Sequence, residues 1–163
     1  IAADGRTAFY GPSADHRAYA IDVASGAVVW TRELLASDAG AQPALSADGA
    51  AVFVLGAGSS NGEAYIFALD AATGAPLWAP DRYGRPGRSL GGTVDKAAAL
   101  SIDGAGTVFS ASQDALAGVE PASGNLTQLC AGMGGLTSFS SHVVIPEDGA
   151  VLVQTAGLAK FAL

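Results

Sequence analysis

Cysteine is nearly absent from this sequence: the 163 residues hold one, Cys130. A single thiol excludes an internal disulfide and a cysteine-based zinc site. In an apolar chain it is expected to be a buried core atom rather than a nucleophile. Histidine is scarce as well. His16 and His142 are too few and too far apart in sequence to define a metal site. His16, in "SADHRAY", is expected at a solvated strand start. His142, opening the strand-like "SSHVVIP", is expected to be a satisfied polar residue, with a channel-lining ligand group as the alternative. Basic residues number eight against fifteen acidic ones, a net charge of −7. The chain therefore lacks the basic face that nucleic-acid binding requires, and its acidity reads as solubility. No apolar run reaches the ~18–20 residues of a membrane span, and no stretch is organised as a signal peptide. With Ile1 in first place, that says nothing about compartment.

What the sequence does have is apolar residues, 50% against 14% charged, and 22 glycines. This excludes a disordered chain. The length is that of one domain with a real core. The glycines suit many short strands joined by tight turns.

Two signatures alternate along the chain. The first is an Asp-Gly turn before an apolar strand: "AADGRTAFYG", "SADGAAVFVLG", "SIDGAGTVFSA" and "PEDGAVLVQTAG", with Asp4, Asp48, Asp103 and Asp148 spaced 44, 55 and 45 apart. The second is strand, acidic turn, strand: "AYAIDVASGAVVW", "YIFALDAATGAPLW" and "ALAGVEPASGNLTQL". Its glycines, Gly26, Gly74 and Gly124, are spaced 48 and 50 apart. Asp-Gly is a hairpin signal because Gly accepts positive φ without a Cβ clash. In the second signature the carboxylate of Asp22 or Asp70 is placed to accept N–H bonds from residues further round the turn, and the closing Gly lets the strand reverse. Glu120 keeps the pattern loosely, with a Pro after it.

The flanking runs alternate or are continuously apolar over four to eight residues, as strands are, and no segment has helical period. Each unit reads as four antiparallel strands. For the second unit these fall at about 42–46, 51–57, 63–70 and 75–79, and for the third at about 96–102, 106–112, 115–120 and 125–131. A four-stranded meander repeated every ~40–50 residues predicts a β-propeller; a β-sandwich is the rival, but needs no internal repeat. The expected fold is all-β, one partial propeller domain over 1–163, with about four blades at 1–35, 41–80, 96–131 and 139–163. The first and last are incomplete, and a long inter-blade loop spans 80–95. Both ends fall inside blades, so the expectation is a segment of a longer protein, or subunits that close a ring together.

The repeats closely resemble the pyrroloquinoline-quinone-type propeller repeat, Tyr-x-Ala-Leu-Asp-x-x-Thr/Ser-Gly-x-x-x-Trp. Tyr19, Ala20, Asp22, Ser25, Gly26 and Trp30 match it in one copy. Phe67, Ala68, Leu69, Asp70, Thr73, Gly74 and Trp78 match it in the next. The resemblance implies that Trp30 and Trp78 are docking tryptophans packed between neighbouring blades of a six- to eight-bladed ring. The third copy departs, with Val119-Glu120 for Leu-Asp and Leu129 near the Trp position, and is expected to pack differently. The resemblance also implies a periplasmic, extracellular or lumenal location. Quinone-dependent members use a stacking Trp, adjacent cysteines, a calcium or lanthanide ion and a catalytic Asp. This chain has no cysteine pair, its two tryptophans are accounted for by docking, and no acidic cluster has calcium-loop spacing. The expectation is no cofactor, no metal and no catalytic residue in this segment.

Other chemistry is sparse. Ser13, Ser140 and Ser141 lack a nucleophile-elbow context, and "GMGG" at 132–135 lacks the Lys-Ser/Thr of a phosphate loop. The insertion "APDRYGRPGRSLGGTVDK" is different. It concentrates Arg82, Arg85 and Arg88 around Tyr83 in an acidic chain, and is expected on the loop face near residues 58–62. Arg forks onto carboxylate or phosphate, so these four residues form a candidate partner- or anion-binding loop; a solvated loop whose arginines meet Asp81 and Asp95 is the alternative. Asn125-Leu126-Thr127 is a glycosylation sequon, or a chance match. Three function classes stay open: a non-catalytic binding scaffold for a protein or ligand, a structural subunit of a larger assembly completed by neighbouring blades, and a fragment of a quinone-dependent dehydrogenase whose active site lies elsewhere.

Overall fold

The computed structural model describes residues 1–2, 4–12, 14–34, 36–38, 42–58, 63–80, 87–93, 100–111, 115–131, 143–144, 150–154 and 158–162. All regular elements among them are strands, and all pairings are antiparallel. The first sheet holds β1 (Thr7–Tyr10), β2 (Arg17–Asp22) and β3 (Val28–Glu33) in that order. The second holds β4 (Ala36–Asp38), β5 (Ala44–Leu45), β6 (Ala51–Gly58), β7 (Glu63–Asp70) and β8 (Gly87–Thr93). There β4 and β5 share one side of β6, against Gly56–Gly58 and Val52–Phe53 respectively. The third holds β9 (Leu100–Ile102), β10 (Val108–Ala111), β11 (Ala115–Val119) and β12 (Leu126–Ala131). The fourth holds β13 (Val143–Val144), β14 (Ala150–Gln154) and β15 (Leu158–Ala162).

Why the second sheet reads as an unbroken apolar run becomes clear from its two faces. Side chains alternate across a strand. Val52, Val54, Tyr65, Phe67 and Leu69 point one way and join Ala18, Ala20 and Trp30 of the first sheet and Leu34 just beyond it. Phe53, Leu55, Ala64, Ile66 and Ala68 point the other way and join Val108, Ala117 and Val119 of the third. A sheet sandwiched between two others has no solvent face, so polar alternation disappears. Phe9, Phe53 and Phe109 recur at one register, opposite Ala20, Ala68 and Gly118.

The turns follow the local chemistry. In the first, Ser25 donates its N–H and Oγ–H to Asp22 Oδ1 at 2.7 and 2.6 Å. Thr73 does the same to Asp70 at 2.8 and 2.7 Å. In the looser third copy Ser123 Oγ donates to the longer Glu120 carboxylate. Among the Asp-Gly turns the third departs from expectation. Asp103 accepts N–H bonds from Ala105 and Thr107 at 3.0 and 2.7 Å, and the residue at positive φ is Gly106, not Gly104. Measured between the paired residues that flank it, Ile102 and Val108 against Leu45 and Val52, this turn is one residue shorter than the second. The Asp148 turn lies outside the described residues.

The opening strand expected at 42–46 is present as β5, but β4 extends it. A larger difference concerns the stretch 80–95, expected as an inter-blade loop. It contains β8, which pairs with β7 as the outer strand of the second sheet. The expected fourth strand at 75–79 is reduced to one bridge, Leu69 to Pro76, and a bond from Leu77 N–H to Ala68 O at 2.9 Å. Pro80, which has no N–H to give the ladder, follows directly.

Hydrogen bonds from Ser25 and Thr73 to the ionised carboxylates hold Asp22 and Asp70 below the usual aspartate range, and the Ser46 hydroxyl and Ala50 N–H do the same for Asp48. A lowered folded value adds stability above the unfolded value of about 3.9, and this is lost as pH falls through the folded value. Thermal melts should therefore be flat from pH 7 to pH 5 and drop below pH 4. The drop should be shallower in the Asp22→Asn/Asp70→Asn double variant.

Candidate functional site: the seam between sheets

The residues that carry the repeat meet at the seams. Trp30, on β3, lies over the turn between β7 and the Pro76 bridge of the second sheet. Its Nε1–H donates to Ala71 O at 3.0 Å, and the ring covers Gly74 so closely that a Cβ there would sit 2.6 Å from Cε3. Trp78 repeats this one sheet on. Its Nε1–H donates to Pro121 O at 2.7 Å, and a Cβ on Gly124 would sit 2.8 Å from its Cδ2. Gly74 and Gly124 have φ near +70° and are buried. Both reasons demand glycine: the backbone is left-handed, and the indole leaves no room. The acidic turn thus shapes a flat platform, and the tryptophan of the preceding sheet lies on it. Trp30 is 9% exposed and Trp78 3%. Phe9 and Phe53 flank their respective indoles at 6.1 Å between centroids.

Each platform also takes an arginine. Arg32 Nε donates to Gly74 O at 2.7 Å. Arg88 lies with Cζ 5.6 Å from the centre of the Trp78 ring, and donates to Ala79 O at 3.0 Å and Ser123 O at 3.5 Å. The two arginines are equivalent by register. Arg32 pairs with Ala18 and Arg88 with Ile66, each four residues before its turn aspartate. Thr31 follows Trp30 directly, whereas its counterpart Gly87 follows Trp78 after eight residues, 79–86. The insertion is therefore inside the outer strand, which resumes in its original register beyond it.

Of the candidate binding loop, Arg88 lies on β8 at the seam, with its guanidinium over the Trp78 ring. Arg82, Tyr83 and Arg85 lie outside the described residues, as do Asp81, Asp95 and His142. Of the repeat residues, Asp22, Gly26, Asp70, Gly74, Glu120 and Gly124 stand in the three turns. Four residues after Gly124, where Trp30 and Trp78 stand in their copies, is Gln128. Asn125 is exposed beside its turn. His16 has φ of 63° at the start of β2. Hydroxyls gather on Glu63, which accepts from Tyr65 OH at 2.8 Å and from Ser89 Oγ. Asp15 accepts from Tyr19 OH, which raises the phenol's pKa. Among the described residues, no three His, Cys, Asp or Glu side chains come together to hold a metal, and no helix is long and apolar enough to cross a membrane.

Sequence reasoning missed Arg32, although Trp-x-Arg was visible. It also missed the recurring phenylalanine, which follows the turn Asp by five residues in two copies and by six in the third, at Phe9, Phe53 and Phe109.

The architecture has clear relatives. The family model described as outer membrane protein assembly factor BamB matches residues 1–156, and the chain belongs to that pyrroloquinoline-quinone-like repeat family. No curated protein matches it significantly by sequence. Among solved structures it is similar to the dihydro-heme d1 dehydrogenase NirN in complex with DHE, at 18% identity and a TM-score of 0.60, over 100% of this chain and 33% of that one. It is also similar to the quinohemoprotein alcohol dehydrogenase ADHIIG from Pseudomonas putida HK5, at 16% identity and a TM-score of 0.54, over 97% of this chain and 33% of that one. A protein of unknown function from Bacteroides caccae matches at 14% identity and a TM-score of 0.52, over 98% of this chain and 58% of that one. The chain spans about a third of the length of the two dehydrogenases. At these identities the likeness establishes the fold: a propeller-like fragment.

A docked indole of this kind buries roughly 150–250 Å², worth about 4–6 kcal/mol gross at ~25 cal/mol per Å². Trp78→Ala should lower stability by about 3–5 kcal/mol in urea melts. Gly74→Ala and Gly26→Ala share the same left-handed strain, but only Gly74→Ala also displaces an indole. Its melting temperature should be the lower of the two by several degrees, roughly 2–4 °C per kcal/mol.

Proposed function

We propose that this segment is part of a larger propeller ring, of about six to eight blades, that acts as a non-catalytic scaffold binding a protein partner. One observation carries the reading: an eight-residue insertion, holding Arg82, Tyr83 and Arg85, interrupts the outer strand of the second sheet without altering its register. The first seam does without it, since Trp30 and Arg32 pack on their platform with no insertion between them, whereas at the second seam the insertion's first residue, Ala79, accepts from Arg88. An element that packing does not require, rich in arginine and tyrosine within an acidic chain, has the composition of a contact surface. The name of the matched family, an outer membrane assembly factor, agrees with a protein-contacting role and an extracytoplasmic location. A structural subunit of a larger assembly is the neighbouring reading.

A second reading is a fragment of a quinone-dependent dehydrogenase, favoured by the likeness to two dehydrogenase structures. In that case the catalytic groups lie in the rest of the ring. Glycosylation at Asn125 would need a secreted eukaryotic source.

Two measurements test the proposal. Deleting residues 79–86 joins Trp78 to Gly87 as Trp30 joins Thr31, and should shift the melting temperature by no more than about 3 °C, under ~1 kcal/mol. In the full-length protein in its native envelope, a photo-crosslinking amino acid at Tyr83 should give a discrete protein adduct, while one at the exposed Val28 should not. Equal labelling at both positions, or none, contradicts the partner role. Saturable binding of the quinone with calcium to the full-length protein would favour the dehydrogenase reading.

A further inference from the structure

Arg88 and its counterpart at the first seam hold different things. Arg32 spends its Nε–H on Gly74 O. Arg88 lies over the Trp78 ring and sends its two Nη groups to different places. Nη1 donates to Ala79 O at 3.0 Å and Nη2 to Ser123 O at 3.5 Å. Ala79 opens the insertion and Arg88 stands two residues past its end, so this side chain ties the root of the insertion to the turn of the third sheet. Its charge is not spent there. Both acceptors are neutral carbonyls, and a guanidinium has five N–H donors. The acid of that turn, Glu120, accepts from Ser123 Oγ instead. Among the described residues the ion pair is Arg17 with Glu33 at 3.9 Å, and Arg88 has no carboxylate partner. Arg88 is half-buried, and Arg85 and Arg82 precede it by three and six residues.

We infer that Arg88 anchors an anion subsite at the root of the insertion, and that the subsite takes a carboxylate of an acidic protein segment. The donors of Arg88 left over from the two carbonyls fork onto one carboxylate, and Arg82 and Arg85 supply charge for those beside it. Three things select this ligand. A guanidinium fixed by stacking and by two carbonyls loses little freedom on binding. Its planar fork matches a carboxylate. The net charge of −7 repels a long polyanion such as nucleic acid, but admits a short acidic segment that meets only this patch. The inference rests on the partner-binding reading of the insertion and adds to it the chemistry of the partner. Occupancy has a reporter in the fold. A carboxylate that draws on the guanidinium changes the field at the Trp78 ring beneath it, while Trp30 has no insertion beside it.

The probe is an acetylated tetraglutamate amide, titrated into the full-length protein at about 20 mM salt, where screening is weak, with the tetraglutamine peptide as the uncharged control. In nuclear magnetic resonance spectra the Trp78 indole N–H signal, identified by its loss in Trp78→Phe, should shift saturably with the acidic peptide alone, and the Trp30 signal should stay in place. This readout needs no variant of the subsite. Calorimetry should show affinity falling about tenfold in Arg88→Gln and by less than about twofold in Arg17→Gln, an exposed cation of the first sheet. Arg88→Lys, which keeps the charge and loses the fork, should recover only part of that loss. Melts establish that each variant is folded at the titration temperature. No binding, equal losses in Arg17→Gln and Arg88→Gln, or binding that leaves the Trp78 signal unmoved overturns the subsite. So does a Tyr83 adduct undiminished by Arg88→Gln, which leaves the partner role standing. Peptide binding that moves Trp78, with no Tyr83 adduct, supports the subsite and contradicts only the partner role, so the two fail separately.

Discussion

An indole lying flat on a glycine is the contact on which the arrangement of these sheets depends. It joins sequence-distant units, Trp30 to Gly74 and Trp78 to Gly124, and sets the distance between neighbouring sheets. The acidic turn exists to make the platform. A carboxylate satisfied by N–H and hydroxyl groups holds the loop, the loop holds the glycine at positive φ, and the glycine leaves the ring room to lie down. The carbonyl after the acid then faces the indole N–H. Polar satisfaction and apolar burial are met by the same few atoms, which is why a twelve-residue pattern can be repeated nearly unchanged.

The arginines add a second condition. Arg32 and Arg88 occupy one register, although eight extra residues separate Arg88 from its tryptophan. The outer strand of the second sheet leaves its ladder near Pro80 and returns at Gly87, where the Phe67 ring lies so close that a Cβ would sit 2.6 Å from it. Keeping this register preserves the cation over the Trp78 ring. Insertions elsewhere in the outer strand would move the arginine off the platform; here the strand returns before the arginine.

Much of this was legible in the sequence. The turn acids, the closing glycines and both tryptophans are local patterns with local causes, and the structure places them where the repeat says. The insertion was harder. Two prolines and three glycines between Ala79 and Gly92 read as loop, and nothing local reveals that Gly87–Thr93 finds β7 again. That pairing is long-range. The same holds for β4, whose partner is set by the second sheet's length. Arg88 was singled out for its charge, but its neighbours are Trp78 and Ser123, residues ten and thirty-five positions away.

The central claim is that these indoles are clamped at the seams with their N–H groups bonded. Nuclear magnetic resonance exchange of the two indole N–H protons tests it most directly. Both should exchange with water far more slowly than a free indole, and Gly124→Ala should release the Trp78 proton while leaving that of Trp30 protected. Two indole protons that exchange at the free rate in a folded chain would contradict the account.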